Sequence, residues 1–511
     1  MSMLISTLLA ALTGGGALAL DPIESRAGKF YDSKGNERNF RGVNVVYKDF
    51  PWLPDTVDKF DANLSFVQDD IDLLKSLGNN LIRLGVMWPG SHPEENSPPD
   101  EVYLSRVDAM IQLLADNDMY VLVEPHQDEM NPLFCGEGAP DWWVEKFTAG
   151  VSDFPNPVQD APFDASPPTH ATCDTHSSFS YIWSNDAAAA YQNLWETGST
   201  NGFGTYWKDI ASRYQNFDNV IGGEIWNEPF LGDVFSNPYL RDNKVSDEQN
   251  LSPFYENITA IVRNAGVEQK KFALFFEPTW PVGNQDLEPD AILTATSGFE
   301  QLPELDSVYA FHYYVAPCNP DIDQYMDERL ADALRLGATP FVSEFNLAAW
   351  DEESYVAMVA VFNSIENRQI SYTGWQYKSF SGSLPDGTCT GCGNSFFNDD
   401  GSSNLYLQRS MGRVFAPVVA GVTVQVTNKE MKSYEIEFVP SLNGQLSVFV
   451  VPEWWAGGLG QDNFMVTVNG TVGGYDSKID TNEVVFGRKV AEGVEIGGMT
   501  EVSERSERVL S

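Results

Sequence analysis

The sequence predicts a (β/α)8 TIM barrel followed by a C-terminal antiparallel β-sandwich. Three observations carry that reading. Short apolar runs alternate with helical patterns through most of the chain. Acidic, amide and aromatic residues recur where those runs end. Near residue 418 the pattern switches to period-two stretches without helices. FRGVNVV (40–46) is the first run. Phe66-Val67, Ile71, Leu74 and Leu77 then recur at helical spacing, with Gly78 as the C-terminal stop. LIRLGVMW follows Asn79-Asn80 and reads as a parallel strand buried on both faces. Leu104, Val107, Met110-Ile111 and Leu114 mark the next helix, and MYVLVEP the third strand. VIGGEIW (220–226), FALFFEP (272–278), VYAFHYY (308–314), TPFVSEF (339–345) and YTGWQY (372–377) bring the strands to eight. Eight strands alternating with helices is the count of a closed barrel, and long loops explain the excess over the usual ~250 residues. An open doubly wound sheet is disfavoured because no Gly-rich phosphate loop follows a strand. VTVQVTN, SYEIEFVP, QLSVFVVP, FMVTVNG and EVVFG then predict the sandwich. The expected division is a barrel over 21–418 and a sandwich over 419–511, with a polar, frayed tail after Glu501.

A chain of 511 residues has room for more than one domain. Its 73 acidic and 31 basic residues give a net charge of −42, which repels nucleic acid and anionic membrane surface alike. Hydrophobic residues make up 42% and charged ones only 20%, so acidity here does not mean disorder. Met1–Leu20 is uncharged, with an apolar run too short to span a bilayer and Ala17-Leu18-Ala19 as a cleavage triplet. It reads as a secretory signal peptide, although no Lys or Arg precedes the apolar run. The expected location is therefore outside the cell or in the lumen of the secretory or lysosomal pathway, with no transmembrane segment in the mature chain. Cys135, Cys173, Cys318, Cys389 and Cys392 form an odd set. Cys389-Thr-Gly-Cys392 lacks a second CxxC, so a loop staple is favoured over zinc. Asn63, Asn250, Asn257 and Asn469 head glycosylation sequons, with Pro253 close behind the second.

Loops after the strands of a parallel barrel share one face, so strand-end residues converge there. Those residues are Arg83; Glu124, His126 and Asp128; Asn227-Glu228-Pro229; Glu277; His312 and Tyr314; Glu344; and Trp375. Carboxyls with amides and aromatics suit glycoside hydrolysis, in which one carboxyl protonates the leaving oxygen and another attacks the anomeric carbon or activates water. Position alone leaves Glu124, Asp128, Glu228, Glu277 and Glu344 as candidates. The Asn227 amide beside Glu228 can bond a sugar 2-hydroxyl. Glu344 can face Glu228 across the mouth, with Tyr314 placed to donate to a nucleophilic carboxylate. A salt bridge or a helix cap is the alternative role of any single strand-end Glu.

These residues resemble glycoside hydrolase family 5 of clan A, and more narrowly its endoglycoceramidase-related enzymes. The further motifs are RGVNVVYKDFPW (41–52), NLIRLGVMWPG (80–90), EPHQD (124–128), GEGAPDWW (136–143), FFEP (275–278) and RVFAPVVAG (413–421). The resemblance implies a retaining mechanism, with Glu228 as acid/base, Glu344 as nucleophile and their carboxyls about 5–5.5 Å apart. Arg83 and Tyr314 would hold Glu344 ionised. Lys48, Asp128, Asn227 and Trp375 would bind the sugar beside the scissile bond, with His126 and His312 at its border. No cofactor or metal is implied. The substrate would be a glycosphingolipid or another lipid glycoside, reached with a lipid-presenting activator or detergent-like factor because the surface is so acidic. Phe50-Pro51-Trp52 and Trp142-Trp143 either line an apolar groove for the lipid or pack the core. Residues 131–186 form a long loop, read as a lid tied by Cys135–Cys173 rather than a disordered insert. Glu124-Pro125, where many relatives have Asp-Met, either reshapes the floor of the sugar site or is neutral. Lys378 after Trp375-Gln376-Tyr377 leaves the sugar preference open. The alternative activity is an exo-acting β-glucosidase on glucosylceramide or steryl glucosides. A non-catalytic glycolipid-binding protein is remote, since both glutamates are present.

Overall fold

The computed structural model describes residues 20–56, 59–148, 181–280, 296–314, 322–380, 395–398, 400–429, 433–440, 446–450, 464–470, 475–480, 483–488 and 498–504. Three short strands come first: β1 (Ile23–Arg26), β2 (Lys29–Asp32) and β3 (Glu37–Arg38). Eight more follow, one from each apolar run: β4 (Arg41–Val45), β5 (Leu81–Gly85), β6 (Tyr120–Glu124), β7 (Val220–Glu224), β8 (Ala273–Phe276), β9 (Val308–Tyr313), β10 (Thr339–Phe345) and β11 (Ser371–Gly374). These eight pair in parallel and close into a barrel, with β11 returning to β4.

Strand alternation sorts the side chains. In β5, Ile82 and Leu84 pack outward with the helices, while Leu81 joins the inner cluster and Arg83 reaches the polar interior. The inner cluster fills the N-terminal end of the barrel: Leu122, Ile221, Phe275 and Phe341 surround Phe30 of β2 and Ile23 of β1. Room is scarce at Gly222, where a Cβ would lie 2.1 Å from the carbonyl oxygen of Ala273. Outside, the helix Gln68–Ser76 buries Ile71 and Leu74. Gly78 beyond it takes φ +88°, the left-handed stop that a glycine makes without strain. The helix Glu101–Asp116 begins at Asp100, whose carboxylate accepts from the backbone N–H of Val102 and Tyr103.

The remaining strands are β12 (Phe415–Val419), β13 (Gly421–Lys429), β14 (Ser433–Pro440), β15 (Leu446–Val450), β16 (Phe464–Gly470), β17 (Tyr475–Asp480), β18 (Glu483–Arg488) and β19 (Gly498–Glu504). They form a four-stranded sheet, β13-β14-β19-β16, and a seven-stranded one, β1-β2-β3-β12-β15-β18-β17. Two features differ from the sequence reading. The boundary at 418 cuts through β12, and β1–β3 share its sheet although they precede the barrel; composition along the chain does not register a pairing between its two ends. The expected frayed tail after Glu501 is a strand as far as Glu504, paired on both sides with β14 and β16. Its alternating polar residues read as a tail only when those neighbours are ignored.

Among the described residues no helix is long and apolar enough to cross a membrane. Asn257 is exposed, whereas Asn250 is buried and donates to the Leu231 carbonyl at 2.8 Å. Cys135 is disulfide-bonded; the other four cysteines, Met1–Ala19 and most of the 131–186 loop lie outside the described residues.

Glu366 ties the barrel to the sandwich. It accepts from Arg413 Nε at 3.0 Å, Asn428 Nδ2 at 2.9 Å and the Tyr372 hydroxyl at 3.1 Å, and it forms an ion pair with Arg41 Nη2 at 3.1 Å. Glu366→Ala strands two buried guanidiniums, and removing one partner of such a pair costs about 3–5 kcal/mol. Urea denaturation should show that loss as a lower midpoint, with a smaller drop for Glu366→Gln.

Candidate active site

Arg83 lies fully buried in the upper barrel and its fork of donors fixes the residues around it. Nε donates to Glu224 at 2.7 Å, Nη1 to Asn44 at 2.8 Å and to Glu344 at 2.6 Å, and Nη2 to Asn227 at 2.8 Å. Glu224 is held on its other oxygen by the Ser343 hydroxyl at 2.8 Å. Ser343 and Glu344 are consecutive, yet both reach inward; a register shift between Val342 and Glu344 in the β9–β10 pairing permits it.

Glu344 receives a second hydrogen bond, from the Tyr314 hydroxyl at 2.7 Å. Across from it Glu228 sits at φ +41°, a backbone conformation that costs a non-glycine residue. Neighbours hold it there: its N–H donates to Glu277 at 2.9 Å, and the Gln127 amide donates to the carbonyls of Asn227 and Glu228 at 2.6 and 3.2 Å. Nδ1 of His312 lies 2.8 Å from Glu228 Oε1. One oxygen each of Glu228 and Glu344 lies within 4.8 Å of the other. That approach matches the ~5–5.5 Å of retaining glycosidases and is too short for the ~6.5–9.5 Å that inverting enzymes need to seat a water.

Burial raises both carboxyls, but unequally. Glu344 is raised only moderately, because Arg83, His126 and the Tyr314 hydrogen bond counter burial. Glu228 is pushed well above the usual carboxyl range by burial and then by the charge of Glu344. Two such groups titrate as a pair, and the first proton belongs on Glu228. His312 is driven well below the ordinary imidazole value by burial, Arg83 and His126, and stays neutral.

A second group adjoins the pair. Lys48 bonds Asp128, lies 3.5 Å from Glu137 and sits 4.6 Å from the ring centre of Trp375. Its ammonium thus supplies a positive charge to the His126–Asp128–Glu137 cluster. Trp375 stacks on His126 at 4.8 Å and 12°. Burial pushes the Asp128 carboxyl up, but Lys48 and His126 bring it down to about 2. All ten residues singled out from the sequence lie in this one connected cluster. Glu124 is buried beside it and accepts from His126 Nδ1 at 3.0 Å. Lys378 is engaged elsewhere: it meets Asp70 at 2.6 Å and the carbonyls of Asp61 and Ser65 at 2.7 and 2.8 Å.

Sequence reasoning missed Glu224, Asn44 and Trp280. Glu224 ends β7 on its inward face, a position that strand alternation from Ile221 across the two glycines does not reveal. Trp280 follows β8 and lies 5.6 Å from the His312 ring and 5.8 Å from that of Tyr314. The aromatics proposed for a lipid groove divide. Trp143 is core, Trp142 packs edge-on against Trp88, and Phe50 is 80% exposed.

A closed parallel barrel with two carboxyls of unequal proton affinity at its C-terminal mouth is the architecture of a glycoside hydrolase. The chain matches the cellulase family (glycosyl hydrolase family 5) over residues 31–381. It is 30% identical over 458 residues to an endoglycoceramidase of Cyanea nozakii, covering 85% of each chain. An endoglycoceramidase of Hydra vulgaris is 33% identical over 386 residues, covering 74% of this chain and 70% of that one. Endo-glycoceramidase II from Rhodococcus sp., solved with a five-membered iminocyclitol, shares the fold with a TM-score of 0.68 at 19% identity, over 93% of this chain and 99% of that one. The chain belongs to glycosyl hydrolase family 5, among its endoglycoceramidase-related enzymes.

The charge of His126 gives a direct check. Burial and the nearby Lys48 lower its pKa, but Glu124 and Asp128 together more than offset them and bring it to about 10. Its ring nitrogens should therefore keep imidazolium shifts through pH 8 in a nitrogen-15 NMR titration, and Glu124→Gln should bring the transition down. The linked stability is fully present below the unfolded value of about 6.5 and is lost as pH rises towards 10.

Proposed function

We propose that the protein cleaves the β-linkage between glycan and ceramide in glycosphingolipids, with retention of anomeric configuration. The approach of Glu228 to Glu344 within 4.8 Å carries the mechanism, and the similarity to two endoglycoceramidases over most of the chain supports the substrate. Glu344, oriented by Arg83 and Tyr314, attacks the anomeric carbon. Glu228 gives its proton to the ceramide oxygen, leaving a glycosyl ester on Glu344. Glu228, now ionised, takes a proton from the incoming water, which releases the sugar. Lys48, Asp128 and Asn227 bond the hydroxyls of the sugar at the cleavage point, Trp375 forms its floor, and His126 and His312 border it. The buried acceptors of such a site reject a sugar lacking the matching hydroxyl.

The short apolar N-terminal run and the disulfide at Cys135 support export into the secretory pathway or beyond the cell, where the Asn257 sequon is accessible for glycosylation. A net charge of −42 repels anionic bilayers, so the lipid is taken from dispersed, micellar or activator-presented form. A substrate panel tests the reading. Ganglioside, lactosylceramide, glucosylceramide, galactosylceramide and steryl glucoside are each incubated with the enzyme and the products weighed by mass spectrometry. Intact oligosaccharide plus ceramide is expected, whereas glucose as the sole product would mark an exo-acting β-glucosidase.

Removing the two glutamates separates their roles. Glu344→Gln should lower kcat on an aryl β-glycoside to background. Glu228→Ala should slow turnover by about 10²–10⁴-fold, the usual worth of general acid–base help. Azide should restore the second variant and yield a β-glycosyl azide; an α-azide would contradict retention.

A further inference from the structure

Glu277, at the end of β8, takes no part in these steps and yet lies buried against them. Its Oε2 accepts the backbone N–H of Glu228 at 2.9 Å, and its carbonyl accepts the Tyr255 hydroxyl at 2.7 Å. Its other oxygen, Oε1, has no hydrogen-bond partner, and neither has Nε2 of His312. These two atoms face one another at 3.5 Å. Buried polar atoms without partners are rare, and two that face each other are satisfied together by one proton between them. The groups around Glu277 are Glu224 from β7, Glu228 from the loop after it, Arg83 from β5, His312 from β9 and Tyr255 from the helix Ser252–Asn264. Burial, then Glu224 and Glu228, push its carboxyl well above the usual range, so the carboxyl keeps its proton. His312, neutral, has a single N–H to place.

We propose that Glu277 is a positioning residue: its Oε1–H donates to Nε2 of His312 and fixes that ring as the Nδ1–H tautomer. The inference rests on Glu228 being the acid. Nδ1–H then donates to Glu228 Oε1, 2.8 Å away, and the catalytic proton is confined to Oε2. With Glu277 ionised the ring would carry its proton on Nε2. Nδ1 would then draw the Glu228 proton onto Oε1, where it is held by the imidazole instead of by the leaving oxygen. Three protons are present, on Glu277, on Nδ1 and on Glu228 Oε2. Only the last one moves, to the leaving oxygen, and it is replaced from water in the second half of the cycle.

Two variants of the full chain test this through kcat/KM, which reports the glycosylation step. Glu277→Gln keeps an N–H donor for Nε2 and an acceptor for the Glu228 N–H, whereas Glu277→Met keeps neither. Glu277→Gln should stay within about 3-fold of the wild type on a lipid glycoside, and Glu277→Met should lose about 30-fold or more. On a dinitrophenyl glycoside, whose leaving group needs no acid, Glu277→Met should lose less than about 3-fold. Equal losses on both substrates, or a Gln variant as impaired as the Met variant, would overturn the proposal. If Glu277→Met does not fold, Glu277→Gln decides alone: retention supports the neutral donor, and a loss of about 30-fold refutes it. Failure of azide to rescue Glu228→Ala would remove the underlying acid assignment. Rescue together with an impaired Gln variant would remove only the role of Glu277.

Discussion

The Arg83 guanidinium is buried where water cannot screen it, and its charge has to be balanced by groups the fold brings to it. Glu224 from β7 and Glu344 from β10 supply carboxylates, while Asn44 from β4 and Asn227 after β7 supply neutral acceptors. Three separate segments, around β4, β7 and β10, are thereby set at fixed distances from one planar group on β5. Positions around the barrel mouth that no covalent bond relates become mutually rigid, which is the preorganisation that hydrolysis through two carboxyls requires.

The same balance creates the asymmetry between the two central glutamates. Both are buried, so the charged groups around each decide its state. Glu344 shares Arg83 and a phenol donor; Glu228 shares only a neutral imidazole and a backbone held in a left-handed conformation. An otherwise identical pair of side chains therefore divides into one that keeps negative charge and one that keeps a proton. Lys48 and His126 repeat the device for Asp128, whose low proton affinity leaves it a pure acceptor.

Much of this was legible in the sequence, for definable reasons. A barrel strand is short, apolar and periodic, and its end points at the mouth, so a Glu after VIGGEIW or within TPFVSEF can be placed from the sequence alone. Asn44 and Glu224 escaped because they lie within strands, where a polar residue gives no sign of its face. Glu224 is further hidden by Gly222-Gly223, which erase the alternation that would have placed it. Trp280 escaped because a strand-end aromatic has no distinctive spacing. The sandwich was visible in its period-two strands, but β17 is too polar to show a buried face, and β19 is polar and pairs only with the distant β14 and β16. Local pattern cannot register them.

The seven-stranded sheet also bears on how the molecule is made. Its β1–β3 leave the ribosome ahead of every barrel strand, and Phe30 of β2 fills the base of the barrel, yet the strand beside β3 begins at residue 415. The edge of β3 thus stays open until the whole barrel has been synthesised. Pairings of such long sequence separation are slow to form, and unpaired strand edges invite association with other chains. A chain cut short before β12 would keep every residue of the barrel mouth and still lack the strand that covers β3. For this enzyme the hazardous interval is the time between emergence of its first strands and arrival of its last.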